Sequence, residues 1–106
     1  MKKNFIILSK FIILFNFFIF PTKSDPMFEL GKNIFLNKAT CSACHILADA
    51  GSNGQIGPNL NEIRPDKNRI LNAVKNGIGV MPMYEGELTP EEIEAVVHYV
   101  FTSANN

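Results

Sequence analysis

The pentapeptide Cys41-Ser42-Ala43-Cys44-His45 decides the fold of this 106-residue sequence. It matches C-x-x-C-H, the pattern through which proteins attach a c-type haem. Two thiols three positions apart on a helical turn can each bond one of the two vinyl groups at a haem edge, and the imidazole of the next residue then lies beneath the iron. The pentapeptide therefore predicts one covalent haem c, attached through Cys41 and Cys44, with His45 as an iron ligand.

Other uses of a cysteine pair fit the sequence less well. A thioredoxin-like redox pair occurs near a βαβ unit, and the sequence around Cys41 shows no such pattern. A structural zinc ion needs about four protein ligands. The obvious candidates are Cys41, Cys44, His45 and His98, and their spacing matches no familiar zinc motif. Haem attachment is the interpretation that these residues favour.

Residues 1–24 differ in kind from the rest of the chain. Two lysines precede an apolar stretch at 5–20, and Pro21 and small residues follow it, which is the order of a cleaved secretory signal peptide. A retained membrane anchor is the alternative, but a lysine and an asparagine interrupt the stretch, which is shorter than the ~20 apolar residues of a membrane span. We expect a signal peptide at 1–24, a folded domain at 25–106 and export to the periplasm, with the thylakoid lumen as the alternative compartment.

The folded domain is small and acidic. Residues 25–106 carry six Lys and Arg against ten Asp and Glu, a net charge of −4. Nucleic-acid binding needs a basic face, so this charge argues against nucleic acid as a partner and favours a protein with a basic docking patch. A disulfide between the two nearby cysteines would close too small a loop to stabilise the domain much. We therefore expect a bound group at its centre.

The hydrophobic pattern predicts helices joined by loops and no β-strand. A first helix is expected over about 26–37, where an Asp-Pro pair suits a helix start. Another is expected over about 66–76, and an Asn-Gly pair supplies its end. Residues 46–63 and 77–88 are predicted as loops, because glycine and proline punctuate them. The apolar positions of the first helix are Phe28, Leu30, Ile34 and Phe35.

The last helix has the strongest local signals in the sequence. Thr89 is its predicted N-cap, Pro90 its first residue, and Glu92 completes a capping box. We expect it to end near residue 102 or 103. Its apolar residues recur at i, i+3, i+4, i+7 and i+8, which forms a single stripe. The stripe consists of Ile93, Val96, Val97, Val100 and Phe101.

A second iron ligand is expected in the glycine-rich loop before the last helix. Met81 lies in this loop, and Pro82 stiffens the backbone that would present its thioether to the iron. A methionine opposite a histidine favours the ferrous state and a higher reduction potential, because the thioether is a soft, neutral donor. Met83 and His98 are the alternatives; they are better explained as a rim residue and as an exposed helical histidine. Met27 is expected to be a packing residue of the first helix.

The orientation of His45 also has a candidate determinant. A haem-ligating histidine usually donates its other ring N–H to a fixed acceptor. Proline stiffens a loop, so the carbonyl group of Pro58, thirteen residues after His45, is a suitable acceptor. By apolarity and position, the candidates for the haem wall are Leu60, Ile63, Ile78 and Val80.

Taken together, these residues resemble the class I cytochrome c family. The resemblance extends over essentially all of 25–106. Within the family, the sequence is most similar to small single-haem cytochromes of the c553 type. The matching features are Gly31, Phe35, CSACH at 41–45, GPNL at 57–60, NGIGVMP at 76–82, LTPEEI at 88–93 and HYV at 98–100.

The resemblance implies an all-α fold of three to five helices around one covalently bound haem. The first and last helices would cross near Gly31 and Tyr99, with Phe35 packed in the crossing. The two cysteines of CSACH are implied as the thioether residues, its histidine as the proximal ligand and Met81 as the distal ligand. One haem edge would be exposed near the thioethers and the methionine loop.

The leading functional hypothesis is a soluble, monomeric one-electron carrier. It would shuttle electrons between an exported or membrane-bound donor and acceptor, with no enzymatic activity, since no catalytic constellation is present. The alternative is a haem c electron-acceptor subunit of a specific periplasmic dehydrogenase. A third hypothesis, a haem enzyme or ligand sensor, would require loss of the bond between Met81 and the iron.

Overall fold

Four α-helices carry the fold of residues 25–106, the part of the chain that this computed structural model describes. The predicted all-α class with three to five helices is confirmed. The expected signal peptide at 1–24 lies outside the described residues. Among the described helices, none has the length and apolar composition needed to cross a membrane. In chain order the helices are α1 (Pro26–Asn33), α2 (Leu60–Ile63), α3 (Lys67–Asn76) and α4 (Pro90–Ala104).

Helix α1 begins where the sequence predicts and changes its hydrogen-bond pattern before it ends. Its N-cap is Asp25, whose Oδ1 accepts a hydrogen bond from the amide of Phe28 at 3.2 Å. Pro26 occupies the first turn, where no intrahelical amide donor is needed. The helix continues as a π-helical turn, Ile34–Lys38. The predicted first helix is therefore right in extent but consists of two helix types.

The crossing of α1 and α4 is so close that only glycine fits at residue 31. A Cβ added to Gly31 would lie 2.1 Å from the carbonyl oxygen of Ala95 and 2.6 Å from Cβ of Tyr99. The ring of Tyr99 lies between two aromatic rings of the first helix, with centroid separations of 4.9 Å to Phe28 and 5.7 Å to Phe35. The crossing that the family resemblance implied near Gly31 and Tyr99 is present, with Phe35 packed in it.

Helix α4 supplies nearly half of the buried apolar residues, more than any other element of the described chain. The capping box is confirmed, with the Thr89 amide bonded to Glu92 Oε1 at 3.0 Å and the Glu92 amide bonded to Thr89 Oγ1 at 3.1 Å. Four residues of the predicted stripe are buried and Phe101 is half-buried. The ammonium group of Lys67 lies 5.2 Å from the centre of the Phe101 ring, so the half-buried ring at the end of the stripe contacts a cation.

Leu30 corrects one expectation about α1. The sequence placed it on the apolar face, but it is 36 % exposed. Adjacent helical residues point about 100° apart, so the burial of Gly31 against α4 leaves Leu30 at the margin of that face. Met27 packs against the core as expected.

His98 is less exposed than predicted and joins the two ends of the domain. Its Nε2 lies 2.7 Å from Oδ2 of Asp25, the N-cap of α1. The hydrogen bond to His98 lowers the pKa of the Asp25 carboxyl, and the amide of Phe28 lowers it further. This pairing explains the position of His98 without a role as an iron ligand.

Residues 46–63, predicted as loop, contain a short hairpin. Strand β1 (Ile46–Leu47) pairs antiparallel with β2 (Ser52–Asn53) through a 3₁₀ turn at Ala48–Ala50. The prediction of no strand was wrong here, because two-residue strands are too short to show a period of two in the sequence.

Helix α2 was also missed, although its start signal is visible. Asn59 caps it by accepting hydrogen bonds from the amides of Asn61 and Glu62 at 3.0 and 3.3 Å. By contrast, α3 matches its prediction. Asp66 is its N-cap, and Gly77, at φ +72°, ends it.

Replacing Gly31 by alanine should destabilise the haem-loaded protein by about 3 kcal/mol or more, because the new Cβ would contact backbone atoms that cannot move independently. Denaturant unfolding measures the free energy of unfolding. The matched control is Gly51→Ala, because a Cβ there meets no atom within 4 Å and only the positive φ of +63° opposes it. The control substitution should lower the free energy of unfolding by about 1 kcal/mol. Equal costs for the two variants would contradict the proposed contact.

Candidate haem-binding site

The CSACH pentapeptide folds as a single tight turn. Cys41–Ala43 form a 3₁₀ turn that follows Thr40, which has a left-handed φ of +51°. The amides of Cys44 and His45 both donate to the carbonyl oxygen of Cys41, at 3.1 and 3.0 Å. Both cysteines are free and half-buried. The turn therefore holds two unpaired thiols and an imidazole on one short segment, which is the donor set that covalent haem attachment requires.

The chemistry of these side chains disfavours the other uses of a cysteine pair. Burial raises the pKa of the Cys41 thiol to about 11. A dithiol redox centre needs a lowered thiol pKa, since the thiolate is the nucleophile. Within residues 25–106, no group of three or more His, Cys, Asp or Glu side chains is arranged to hold a metal ion. The described residues therefore offer no zinc site.

The imidazole of His45 is held by its neighbours in the 57–58 loop. Its Nδ1 donates to the carbonyl oxygen of Pro58 at 2.8 Å, so the hydrogen bond predicted from the sequence is present. Because Nδ1 carries the proton, Nε2 is the nitrogen left to bind a metal. A Cβ added to Gly57 would lie 2.5 Å from Cε1 of the ring. The amide of Gly57 donates to Cys44 O at 2.8 Å, which fixes this loop against the turn.

The backbone of His45 is fixed by a buried serine that sequence reasoning did not single out. The hydroxyl of Ser52 donates to the carbonyl oxygen of His45 at 2.7 Å and accepts from the amide of Leu47 at 3.0 Å. One residue further along, the amide of Ala48 donates to Oδ1 of Asn61 at 2.7 Å. The hairpin β1–β2 is thereby attached both to His45 and to helix α2.

Met81 closes a tight turn in the loop after α3. The amide of Met81 donates to Ile78 O at 2.9 Å, and the amide of Ile78 donates to Met81 O at 3.3 Å. Gly79 has a φ of +57°, as a type II′ turn requires of its first central residue. A Cβ on Gly77 would lie 2.5 Å from Met81 O. The glycines of this loop therefore allow the backbone to close on itself and fix the position of residue 81.

Tyr84 links the methionine loop to the CSACH turn, a contact the sequence did not predict. Its amide donates to Val74 O at 2.9 Å, and its hydroxyl donates to Ala39 O, two residues before Cys41, at 3.1 Å. Burial raises the pKa of Tyr84, and the nearby thiols of Cys41 and Cys44 raise it further. The sequence shows Tyr84 shortly after the Met-Pro pair, but it gives no sign of the bond from Tyr84 to Ala39.

The other predicted residues divide by exposure. Leu60 is buried and Met81 is half-buried against the core. Three of the four candidates for the haem wall have exposed side chains, as does Met83, and the largest exposure is 87 % at Val80. The exposed set is Ile63, Ile78, Val80 and Met83.

Comparison with known proteins identifies the family. The family model described as cytochrome c oxidase, cbb3-type, subunit III, matches residues 27–100. The chain is similar to cytochrome c6 of Gracilaria tenuistipitata var. liui, with 37% identity over 86 residues that cover 74% of each chain. The chain is a small class I c-type cytochrome. The structure of this cytochrome is similar to that of the c-type cytochrome SorU from Sinorhizobium meliloti, with a TM-score of 0.72, 49% identity and coverage of 78% and 97% of the two chains.

A more distant relative is part of a larger protein. The cytochrome is 32% identical over 85 residues to the cbb3-type cytochrome c oxidase subunit FixP of Bradyrhizobium diazoefficiens, but this match covers 29% of that protein. The cytochrome therefore resembles one portion of FixP.

Membership of this family confirms the predicted cofactor. The cytochrome carries covalent haem c, and Cys41 and Cys44 fit the attachment motif. The residues described above fit this group: two free thiols in one turn, and an imidazole whose Nδ1 is occupied and whose Nε2 is not needed for the bond to Pro58. This cytochrome is a haem electron carrier.

The contact between Gly57 and His45 can be tested by adding one methyl group. Gly57→Ala should push the ring away from Pro58 and destabilise the haem-loaded protein by about 2 kcal/mol. The reduction potential should rise, because a weaker hydrogen bond makes the imidazole a poorer electron donor. Denaturant unfolding and voltammetry measure the two effects. Gly86→Ala is the control for the potential, since no atom lies within 4 Å of its added Cβ and only the backbone φ of +94° opposes the substitution. A Gly57→Ala potential equal to that of the control would refute the contact.

Proposed function

We propose that this cytochrome is an exported one-electron carrier whose haem iron is ligated by His45 and Met81. The observation that carries the proposal is that the imidazole and the methionine loop are each fixed in place by backbone hydrogen bonds. The bound haem supplies a one-electron couple between ferric and ferrous iron. The protein supplies the two ligands, holds them and excludes water.

His45 would act as the proximal ligand through Nε2. Its Nδ1–H bond to the carbonyl oxygen of Pro58 fixes the ring plane and increases the basicity of the imidazole. The Ser52 hydroxyl fixes the carbonyl group of the same residue. Because both the ring and the backbone of His45 are held, the ligand should move little when the iron changes oxidation state. Such rigidity suits rapid electron transfer.

Met81 would act as the distal ligand. The closed turn at 78–81 and the bond from Tyr84 to Ala39 hold this loop beside the CSACH turn. A thioether is a soft, neutral ligand and stabilises the ferrous state, which raises the potential. With His45 and Met81 both bound, the iron would have no open position for a substrate. The proposal therefore assigns no enzymatic activity.

The charge and an exposed apolar residue support brief docking with redox partners. Met83, expected as a rim residue, lies exposed two residues after Met81, where it offers a small apolar contact. The net charge of −4 over 25–106 would steer the cytochrome to a basic patch on a donor or acceptor, with a rate that falls as salt rises. A monomer with a small interface suits such transient encounters. The N-terminal sequence supports export to the periplasm.

Replacing Met81 by alanine tests the ligation. The ferric protein should lose the far-red absorption band typical of methionine–iron bonding, the ferrous protein should bind carbon monoxide, and the potential should fall by about 0.1 V or more, within the roughly 0.8 V range that axial ligands span. Met83→Ala is the matched control and should leave all three properties unchanged. An unaltered spectrum in Met81→Ala would overturn the assignment of Met81, and loss of the band in Met83→Ala would transfer it to Met83.

A stable subunit is the second candidate function. FixP, to part of which the cytochrome is similar, is itself a subunit of an oxidase, and this relation favours a fixed partner such as an exported dehydrogenase. A subunit would stay bound to its partner protein, whereas a diffusible carrier would bind its donor and acceptor only briefly.

Purification from the native source should distinguish the carrier from the subunit. At moderate salt we expect the cytochrome to elute alone in size-exclusion chromatography, because an interface that depends on charge is weakened by salt. Co-elution with a large dehydrogenase or oxidase through this step would contradict the diffusible carrier and support the subunit.

A further inference from the structure

One carboxylate oxygen joins the helix crossing to the hairpin that follows His45. Oδ2 of Asp49 accepts a hydrogen bond from the hydroxyl of Tyr99 at 2.8 Å. The ammonium group of Lys32 lies 3.2 Å from the same oxygen. Lys32 belongs to α1 and Tyr99 to α4, whereas Asp49 lies in the 3₁₀ turn between β1 and β2. Three segments distant in sequence therefore meet at this oxygen.

We propose that Asp49 is a positioning residue for His45, acting through the β1–β2 hairpin. The inference rests on the proposed function, in which His45 is the proximal ligand. The connection is short, because Asp49 is four residues from His45 in the sequence. Within the hairpin, Ser52 pairs with Leu47 and donates to the carbonyl oxygen of His45. A displacement of the turn at Asp49 would therefore pass to the backbone of His45.

The hairpin needs such an anchor because its own pairing is weak. Each strand has two residues, and an isolated hairpin is at best marginally stable in water even with longer strands. Outside the hairpin it is also held by the bond from Ala48 to Asn61, which leads to the short helix α2, and by the fully buried side chain of Leu47. Asp49 instead leads to the α1–α4 crossing, where Gly31 lies against Ala95 and Tyr99.

The bond between Tyr99 and Asp49 has the features of a strong contact. Tyr99 is 0 % exposed, so its hydroxyl depends on a protein partner, and a buried donor without a partner is costly. Burial and the hydrogen bond to Asp49 raise the pKa of Tyr99, so the hydroxyl remains a donor. A carboxylate acceptor makes a stronger bond than a neutral one. The Asp49 side chain is 38% exposed, so water still solvates its charge.

The test measures how often the bond between His45 and Pro58 opens in the haem-loaded ferrous protein. The probe is the hydrogen-exchange rate of the Nδ1 proton of His45 by NMR, because this proton is released only when its bond to Pro58 opens. Tyr99→Phe removes the hydroxyl and keeps the ring that packs on Phe28 and Phe35. Asp49→Ala removes the acceptor. Each change should accelerate exchange by about tenfold, and the double variant should add little, since both remove one interaction.

The matched control is Lys38→Gln. It removes the ion pair between Lys38 and Glu92, which also joins the first helical segment to α4 but does not involve the hairpin. Under the proposal, exchange at His45 in this control stays within about twofold of the wild type. Equal acceleration in Tyr99→Phe and Lys38→Gln would mean that Asp49 contributes only to global stability, and no acceleration in Tyr99→Phe would likewise overturn the positioning role.

The wild-type spectrum separates this inference from the proposed function. A ligating imidazole lies close to the haem ring, so its protons should be strongly shifted by the ring current. If the His45 proton shows no such shift, the ligation itself is wrong. If the shift is present and exchange does not respond to Tyr99→Phe, the ligation stands and the role of Asp49 is refuted.

Discussion

The backbone contact at Gly31 is the constraint on which the rest of the structure depends. A helix pair that touches backbone to backbone at one point has no freedom to slide, because the carbonyl group of Ala95 would meet any side chain at residue 31. Helices α1 and α4 lie at the two ends of the described chain. Their contact closes the domain and leaves the intervening residues to form the haem site. Tyr99, packed between Phe28 and Phe35, fills the space beside the glycine.

The intervening segments are attached to this helix pair by a few polar bonds. The hydroxyl of Tyr99 bonds Asp49 in the β1–β2 hairpin, and Lys38 forms an ion pair with Glu92 at the start of α4. Tyr84 connects the methionine loop to Ala39, just before the CSACH turn. Each of these bonds joins residues 45 or more positions apart in sequence. A few polar bonds between distant segments therefore help this small domain to hold two loops in fixed positions.

Sequence reasoning succeeded where the determinant is local. Thr89, Pro90 and Glu92 specify the start of α4 through contacts within four residues, and the CSACH motif specifies the cofactor by covalent chemistry. The bond between His45 and Pro58 was also predictable, because a haem-ligating histidine usually donates its other ring N–H to a fixed acceptor. The family resemblance, rather than periodicity, implied the crossing at Gly31.

The failures have two main physical causes: an element too short to show a period, and a partner far away in sequence. The two-residue strands of the hairpin show no period, and a serine in a glycine-rich stretch gives no sign that its hydroxyl bonds the backbone of His45. The same holds for Asp49, which resembles a solvated loop residue until α1 and α4 are placed beside it. Leu30 was misplaced because a close backbone contact narrows the buried face of a helix. Helix α2 is the exception, since Asn59 followed by Glu62 is a local start signal.

The two sides of the proposed haem site are held differently, and this difference suits an electron carrier. On the proximal side, His45 is fixed at its ring and at its carbonyl group, and the hairpin behind it leads to the helix crossing. On the proposed distal side, Met81 depends on a closed turn and on Tyr84. With His45 as the proposed proximal ligand, such rigidity would keep the change in geometry between oxidation states small.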